Sequence, residues 1–118
     1  MRFMVMHYSN HENESDTPPS PEMMAEMGAY MEETARSGVL LAAEGVRSSR
    51  HGARVTITDD EVRVVDGPFA EAKELIAGFA ILDVKSKEEA IEHAKRFARI
   101  AGATQIDVRQ VSEFSDAG

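Results

Sequence analysis

Apolar positions in this chain fall into short, well-separated runs, and their spacing switches between a period of two and a period of 3.6. The first run, Arg2-Phe3-Met4-Val5-Met6-His7-Tyr8, is too short for a helix and predicts a buried strand. Alternation sends Phe3, Val5 and His7 to one face, and Met4, Met6 and Tyr8 to the other. Residues 9–20 are polar, acidic and proline-bearing, the composition of a loop. Ser20 then offers a side-chain N-cap, Pro21 suits a first helical turn, and Glu22 favours the positive end of the helix dipole. Met23, Met27, Tyr30, Met31 and Thr34 recur at helical spacing, and Gly38 ends the helix. The methionine stripe reads as core, because Met fills irregular gaps, or as a soft surface facing a ligand.

Residues 39–46 predict a second strand with Glu44-Gly45 near its end. Residues 54–58 and 61–65 carry alternating or β-branched side chains on either side of Asp59-Asp60, which predicts a hairpin. A turn at Asp66-Gly67-Pro68-Phe69 follows, then a strand over residues 78–84. Ser86 and Glu89 have the spacing of a capping box. The helix they open would bury Ala90, Ile91, Ala94, Phe97, Ala98 and Ala101, and Gly102 would close it. Residues 105–111 predict the last strand, and residues 112–118 a frayed tail.

The order strand, helix, strand, hairpin, strand, helix, strand fits an α+β domain of ferredoxin-like split βαβ type. Such a domain has an antiparallel sheet with both helices on one face. A sheet covered on one side must hide the other, and a second copy is the economical cover, so a homodimer is expected.

Length and composition fit this picture. A chain of 118 residues is one domain, and a domain of this size buries somewhat over about 60% of its unfolded surface. With 42% hydrophobic and 29% charged residues it reads as an ordinary globular protein. No apolar run approaches the roughly 18 residues of a membrane span. The N-terminus lacks the layout of a signal peptide, and a cytoplasmic location is expected. Without cysteine, disulfides and thiolate metal sites are excluded. The net charge of −8 repels phosphate backbones, and no run of Lys or Arg is interleaved with aromatics, so nucleic acid is not an expected partner.

The candidate chemistry concentrates around the 66–69 turn. Gly67 tolerates unusual dihedrals, Pro68 fixes its own φ, and Asp66 can bond neighbouring amides. Locally this makes a good turn with Phe69 as a plug. Glu71, Lys73 and Glu74 follow within a few positions, so an acid and a base could converge there on one pocket, as proton transfer requires. A solvated surface turn is the other reading of those charges. Glu44 follows Leu40-Leu41-Ala42-Ala43, and a half-buried carboxylate there needs a partner or a raised pKa. Arg54, Arg109 and Lys73 are its candidate partners. His7 and Tyr8 close the first strand on opposite faces, and His is the side chain best suited to proton transfer near neutral pH. His11 and His51 fall in loops and His93 on a helix's polar side. No histidine pair has metal-ligand spacing, and neither a nucleophile elbow nor a glycine-rich phosphate loop occurs, so no metal or cofactor is expected.

The stretch Val64-Val65-Asp66-Gly67-Pro68-Phe69-Ala70-Glu71-Ala72-Lys73-Glu74, followed by Gly78-Phe79, resembles the signature of the DGPF branch of YCII-related proteins. Further matches at residues 4–8, 20–22, 38–40, 44–45 and 106–109 extend the resemblance over roughly residues 2–111. The resemblance implies a dimeric α/β barrel with a cleft between sheet and helices in each subunit. In the wider superfamily such clefts host muconolactone isomerisation, dehydrochlorination, haem-related reactions and oxygenation. It also implies a role beside extracytoplasmic-function sigma factors. The YCII branch proper carries a His–Asp pair with its histidine on the first helix, and residues 21–37 here hold no histidine.

Three functions follow. The first is an acid–base enzyme on a small cyclic or carbonyl compound, with Asp66 or Glu44 as base and Lys73 stabilising an oxyanion. Glu71, Glu74, Phe69, Tyr8, His7 and Arg109 would line its binding site. The second is a regulatory partner of a sigma factor that uses the same pocket without turnover. In the third, the motif only shapes the fold.

Overall fold

The computed structural model describes residues 1–10 and 12–113; His11 and the 114–118 part of the tail lie outside the described residues. Along the chain come β1 (Arg2–Ser9), α1 (Pro21–Arg36), β2 (Leu40–Gly45), a single 3₁₀ turn (Ser49–His51), β3 (Ala53–Thr58), β4 (Glu61–Asp66), β5 (Leu75–Asp83), α2 (Lys87–Ala101) and β6 (Ile106–Gln110). β5 begins at Leu75 rather than Gly78, because Leu75 and Ile76 continue the ladder to Ser9 and Tyr8 past a bulge.

The helix boundaries follow from their caps. The Met23 amide donates to Ser20 Oγ at 3.2 Å and opens α1, and Gly38 beyond its end takes the left-handed φ of 83°. In α2 the Glu89 amide donates to Ser86 Oγ at 3.1 Å. Glu89 reaches back to the Lys85 amide at 3.1 Å, one residue before the position a capping box specifies. Gly102 ends the helix at φ 68°.

β2, β5, β1 and β6 pair in that order into one antiparallel sheet, the ferredoxin-like arrangement. Phe3 and Val5 sit opposite Leu82 and Ala80 on the helix-covered face, where Val84, Ala90 and Ala94 complete the core. Burial of each large side chain there contributes about 1.5–3 kcal/mol. On α1 only Tyr30 and Thr34 are buried, while Met23, Met27 and Met31 are half-buried. The methionine stripe therefore borders the core without filling it. Among the described residues no helix covers the opposite face of the sheet, although Met6 on it is buried. Register places Ala42, Ile81, Met4 and Arg109 in one row across it, and Glu44, Phe79, Met6 and Asp107 in the next.

β3 and β4 form a separate two-stranded ribbon, not further strands of the main sheet. Its turn residues Asp59 and Asp60 both have positive φ, 50° and 68°, as a two-residue hairpin loop of the mirror-image type requires. Glu113 anchors the end of the described chain through two bonds from Arg2, at 2.6 and 2.8 Å.

Candidate functional site

The signature turn packs through its backbone. Gly67 lies so close to the 3₁₀ turn that a Cβ there would meet the Ser49 carbonyl oxygen at 1.6 Å. Only glycine fits. The Gly67 amide donates to the Gly52 carbonyl at 2.9 Å, and the Phe69 amide to Ser49 Oγ at 3.0 Å. The Gly67-Pro68 peptide is cis. Phe69 does not enter the main core; its half-buried ring lies under the Arg54 guanidinium, 4.3 Å from centroid to Cζ, and Arg54 also pairs with Glu71.

Two carboxylates of the 10–20 loop grip the 3₁₀ turn from its other side. The Ser49 amide donates to Glu14 at 2.8 Å, and the Ser49 hydroxyl bonds the same carboxylate. The Ser48 amide and hydroxyl donate to Asp16 at 3.1 and 2.8 Å, and His51 Nε2 lies 2.9 Å from Asp16 Oδ2. The hydrogen bond from the Ser48 amide, then that from its hydroxyl, holds the Asp16 carboxyl down at about 2. The Ser49 hydroxyl and then its amide lower Glu14 in the same way. Sequence reasoning missed all four of these residues. A Ser-Ser pair in one loop and two acids in another give no local sign of each other, because the bonds span 32 and 35 positions.

Where β1 ends, an open cleft of about 450 Å³ lies between the strand ends, the start of α1 and the end of α2. Its walls include His7, Tyr8, Glu14, Met23, Arg47, Ser48 and Gly102. The His7 imidazole meets Phe97 edge-to-face, with centroids 5.5 Å apart. Its Nε2 occupies space that a Cβ on Gly78 would invade at 2.6 Å. Burial against these neighbours lowers the His7 pKa, so the ring is neutral at physiological pH. Neither ring nitrogen has a hydrogen-bond partner among the described residues, and neither is sealed from solvent. By contrast, the crevice between the two helices and the sheet, beside Tyr30 and His93, encloses only about 10 Å³, no more than a water's worth of space.

The other predicted site residues lie elsewhere. Glu44 is exposed on the uncovered face of the sheet, opposite Phe79. It was expected to be half-buried, but the face it occupies has no covering layer. Asp66 ends β4 opposite Ala53, and Lys73 and Glu74 are exposed in the segment before β5. Among the described residues no hydrogen bond or ion pair joins Glu44, Asp66 and Lys73. None of residues 66–74 lines the cleft; the turn reaches it through Ser49 and Glu14. Tyr8, at the cleft's edge, has its hydroxyl pKa raised by burial first, then by its bond to Asp107 and by Glu74, while Arg109 opposes. Among the described residues no group of three or more His, Cys, Asp or Glu side chains could hold a metal ion.

The model of the YCII-related domain matches residues 1–115. An uncharacterized protein of Rhizobium meliloti (strain 1021) is 39% identical over 56 residues, which is 48% of this chain. That match spans only 40% of the relative's length. Among solved structures, 5-chloro-2-hydroxyhydroquinone dehydrochlorinase from Burkholderia phenoliruptrix AC1100, in complex with 2,5-dihydroxybenzoquinone, aligns over 98% of this chain and 97% of its own. Its TM-score is 0.47, at 15% identity.

Proposed function

The chain belongs to the YCII-related family, and from that premise we propose that it is an acid–base enzyme acting on a small molecule in the β1 cleft, with His7 as the base. One observation carries the reading: a neutral imidazole, fixed by Phe97 and Gly78 and without a polar partner among the described residues, faces a cleft large enough for a small ligand. In the step proposed, His7 takes a proton from an acidic C–H next to a carbonyl. The electron pair moves onto the carbonyl oxygen as the enolate forms. Return of the proton to another carbon gives an isomerisation, and loss of a leaving group gives an elimination. Glu44, Asp66 and Lys73 take no part in this step, since none borders the cleft. We further infer that the protein works as a homodimer, which would cover the bare sheet face.

The test is solvent deuterium exchange into a panel of small cyclic ketones and lactones, followed by proton NMR. Wild type should accelerate exchange into at least one of them, and His7→Gln should lose the acceleration by about 10²-fold or more. Equal exchange by both proteins, or none by wild type across the panel, would sink the proposal.

A further inference from the structure

Among the described residues two charged side chains border the β1 cleft, Glu14 and Arg47, beside the neutral His7. Glu14 is already engaged through both oxygens. One accepts from the Ser49 amide at 2.8 Å and the other from the Ser49 hydroxyl, and these bonds hold its pKa below the usual carboxylate range. Arg47 is in the opposite state. The one hydrogen-bond neighbour of its guanidinium among the described residues is His51 Nε2, 3.2 Å from Nη2. That nitrogen also lies 2.9 Å from Asp16 Oδ2, and Asp16 is ionised, its carboxyl held down at about 2. Facing a carboxylate, Nε2 carries a proton and donates it to Asp16, so it has no lone pair left for Arg47. Arg47 forms no ion pair among the described residues, and its planar fork of N–H donors is left for water or a ligand.

The backbone beneath Arg47 is pinned on both sides. The Val46 amide donates to the Ala77 carbonyl at 2.8 Å, and the Ser48 amide to Asp16 at 3.1 Å. The fork therefore starts from a fixed point on the cleft wall, which lowers the cost of ordering it around a ligand. The other walls suit the remainder of a small molecule. Met23, Val46 and Ile76 are apolar. Ala101 and Gly102 bring in the end of α2, whose last carbonyls carry the negative end of the helix dipole and repel an anion. The net charge of −8 does the same at longer range, so an anionic group has its place beside the free cation.

We propose that Arg47 selects the substrate: the cleft takes a small carbonyl compound that also bears a carboxylate, and the carboxylate pairs with the Arg47 guanidinium while His7 works on the carbon beside the carbonyl. A bidentate pair fixes a planar carboxylate in both direction and distance. It thereby presents one C–H edge of the ligand to the imidazole, the kind of positioning that raises the rate of a proton transfer. Arg47 itself takes no proton; it determines which molecule is held and how.

The inference rests on the cleft being a proton-transfer site, and the experiment separates the two. Binding and exchange are measured on one pair of probes, 4-oxocyclohexanecarboxylate and its methyl ester, by titration followed with proton NMR and by solvent deuterium exchange. Wild type should bind the acid at least about tenfold more tightly than the ester, the factor that a hydrogen bond to a charged group supplies. Its kcat/KM for exchange should favour the acid by a similar factor. Arg47→Gln should lose the preference by weakening the acid alone, with the ester unchanged within about twofold. Arg47→Lys, which keeps the charge and loses the fork, should fall between. Arg50→Gln, a neighbouring arginine that does not border the cleft, should change neither probe. His7→Gln should abolish exchange and keep the binding preference, a split that a merely structural Arg47 would not give. Wild type that binds the two probes alike, or binds neither, would overturn the inference. So would a preference that survives Arg47→Gln or falls equally in Arg50→Gln. An Arg47-dependent preference without any exchange would remove His7 as the base and leave the carboxylate site standing.

Discussion

The 66–69 turn and the end of β1 at His7 solve opposite problems. In the turn the backbone is buried in contacts while the acidic side chain faces water: Gly67 is pressed on Ser49, two amides are bonded, and Asp66 is exposed. At His7 the backbone is an ordinary ladder strand, and the side chain is the unusual part, held on two sides and without a polar partner among the described residues. A dense run of charges and turn formers therefore marks a joint between loops. The base proposed above sits where one histidine, His7, lies near the end of a strand. Steric demands on a backbone write long, specific motifs, because several consecutive residues must comply. A general base needs only one residue, placed by the fold.

That contrast can be broken first at Gly67. Gly67→Ala forces a Cβ to within 1.6 Å of a backbone oxygen, and no flexible side chain can give way. It should destabilise the fold by about 3 kcal/mol or more, read as a lowered urea midpoint. Gly45→Ala, with nothing within 4 Å of the new Cβ, should cost far less in the same assay. If the two variants match, the turn is not a packed joint. Ser49→Ala removes the acceptor of the Phe69 amide and one hold on Glu14, and should cost about 1 kcal/mol, since a hydrogen bond nets about that much.

The two regions should also separate by pH. Burial holds the folded pKa of His7 below the ordinary imidazole value of 6.5, so just below that pH the unfolded chain binds a proton that the folded chain refuses. Stability is then fully present above pH 6.5 and declines as pH falls through the folded pKa. Asp16 adds stability that is present above 3.8 and is lost as pH falls towards about 2. His7→Gln should flatten the upper part of the stability–pH curve, and Asp16→Asn the lower part. An upper slope unchanged in His7→Gln would mean the imidazole is not held neutral by the fold.

Much of the fold is legible in the sequence because it rests on local signals. Ser20, Gly38, Ser86 and Gly102 bound their helices through their own caps, and the alternation from Phe3 to Tyr8 separates the core face from the bare face. The ribbon's independence from the sheet is not legible, since its pattern is equally that of an edge hairpin. The grip of Glu14 and Asp16 on Ser48 and Ser49 is invisible for a different reason. It joins two polar loops with no periodicity to reveal it. His7 and Tyr8 were found as residues, but the neutrality of His7 depends on Phe97 and Gly78, some 90 and 71 positions further along the chain.

The smallest expected effects belong to the charges that drew attention first. Glu44→Gln, Asp66→Asn and Lys73→Gln each alter an exposed side chain with no hydrogen-bond or ion-pair partner among the described residues. Each should shift stability by no more than about 0.5 kcal/mol, as surface substitutions do. Each should also leave the deuterium exchange catalysed by wild type within about twofold. The stability half of this prediction tests the placement of the three residues, and the exchange half tests their exclusion from the chemistry. Loss of exchange in Lys73→Gln with stability unchanged would bring the segment before β5 into the site and move the oxyanion contact there. The same loss in Glu44→Gln would move the chemistry to the uncovered sheet face. Both proteins retaining exchange, beside an inactive His7→Gln, leaves the signature as a joint and His7 as the base.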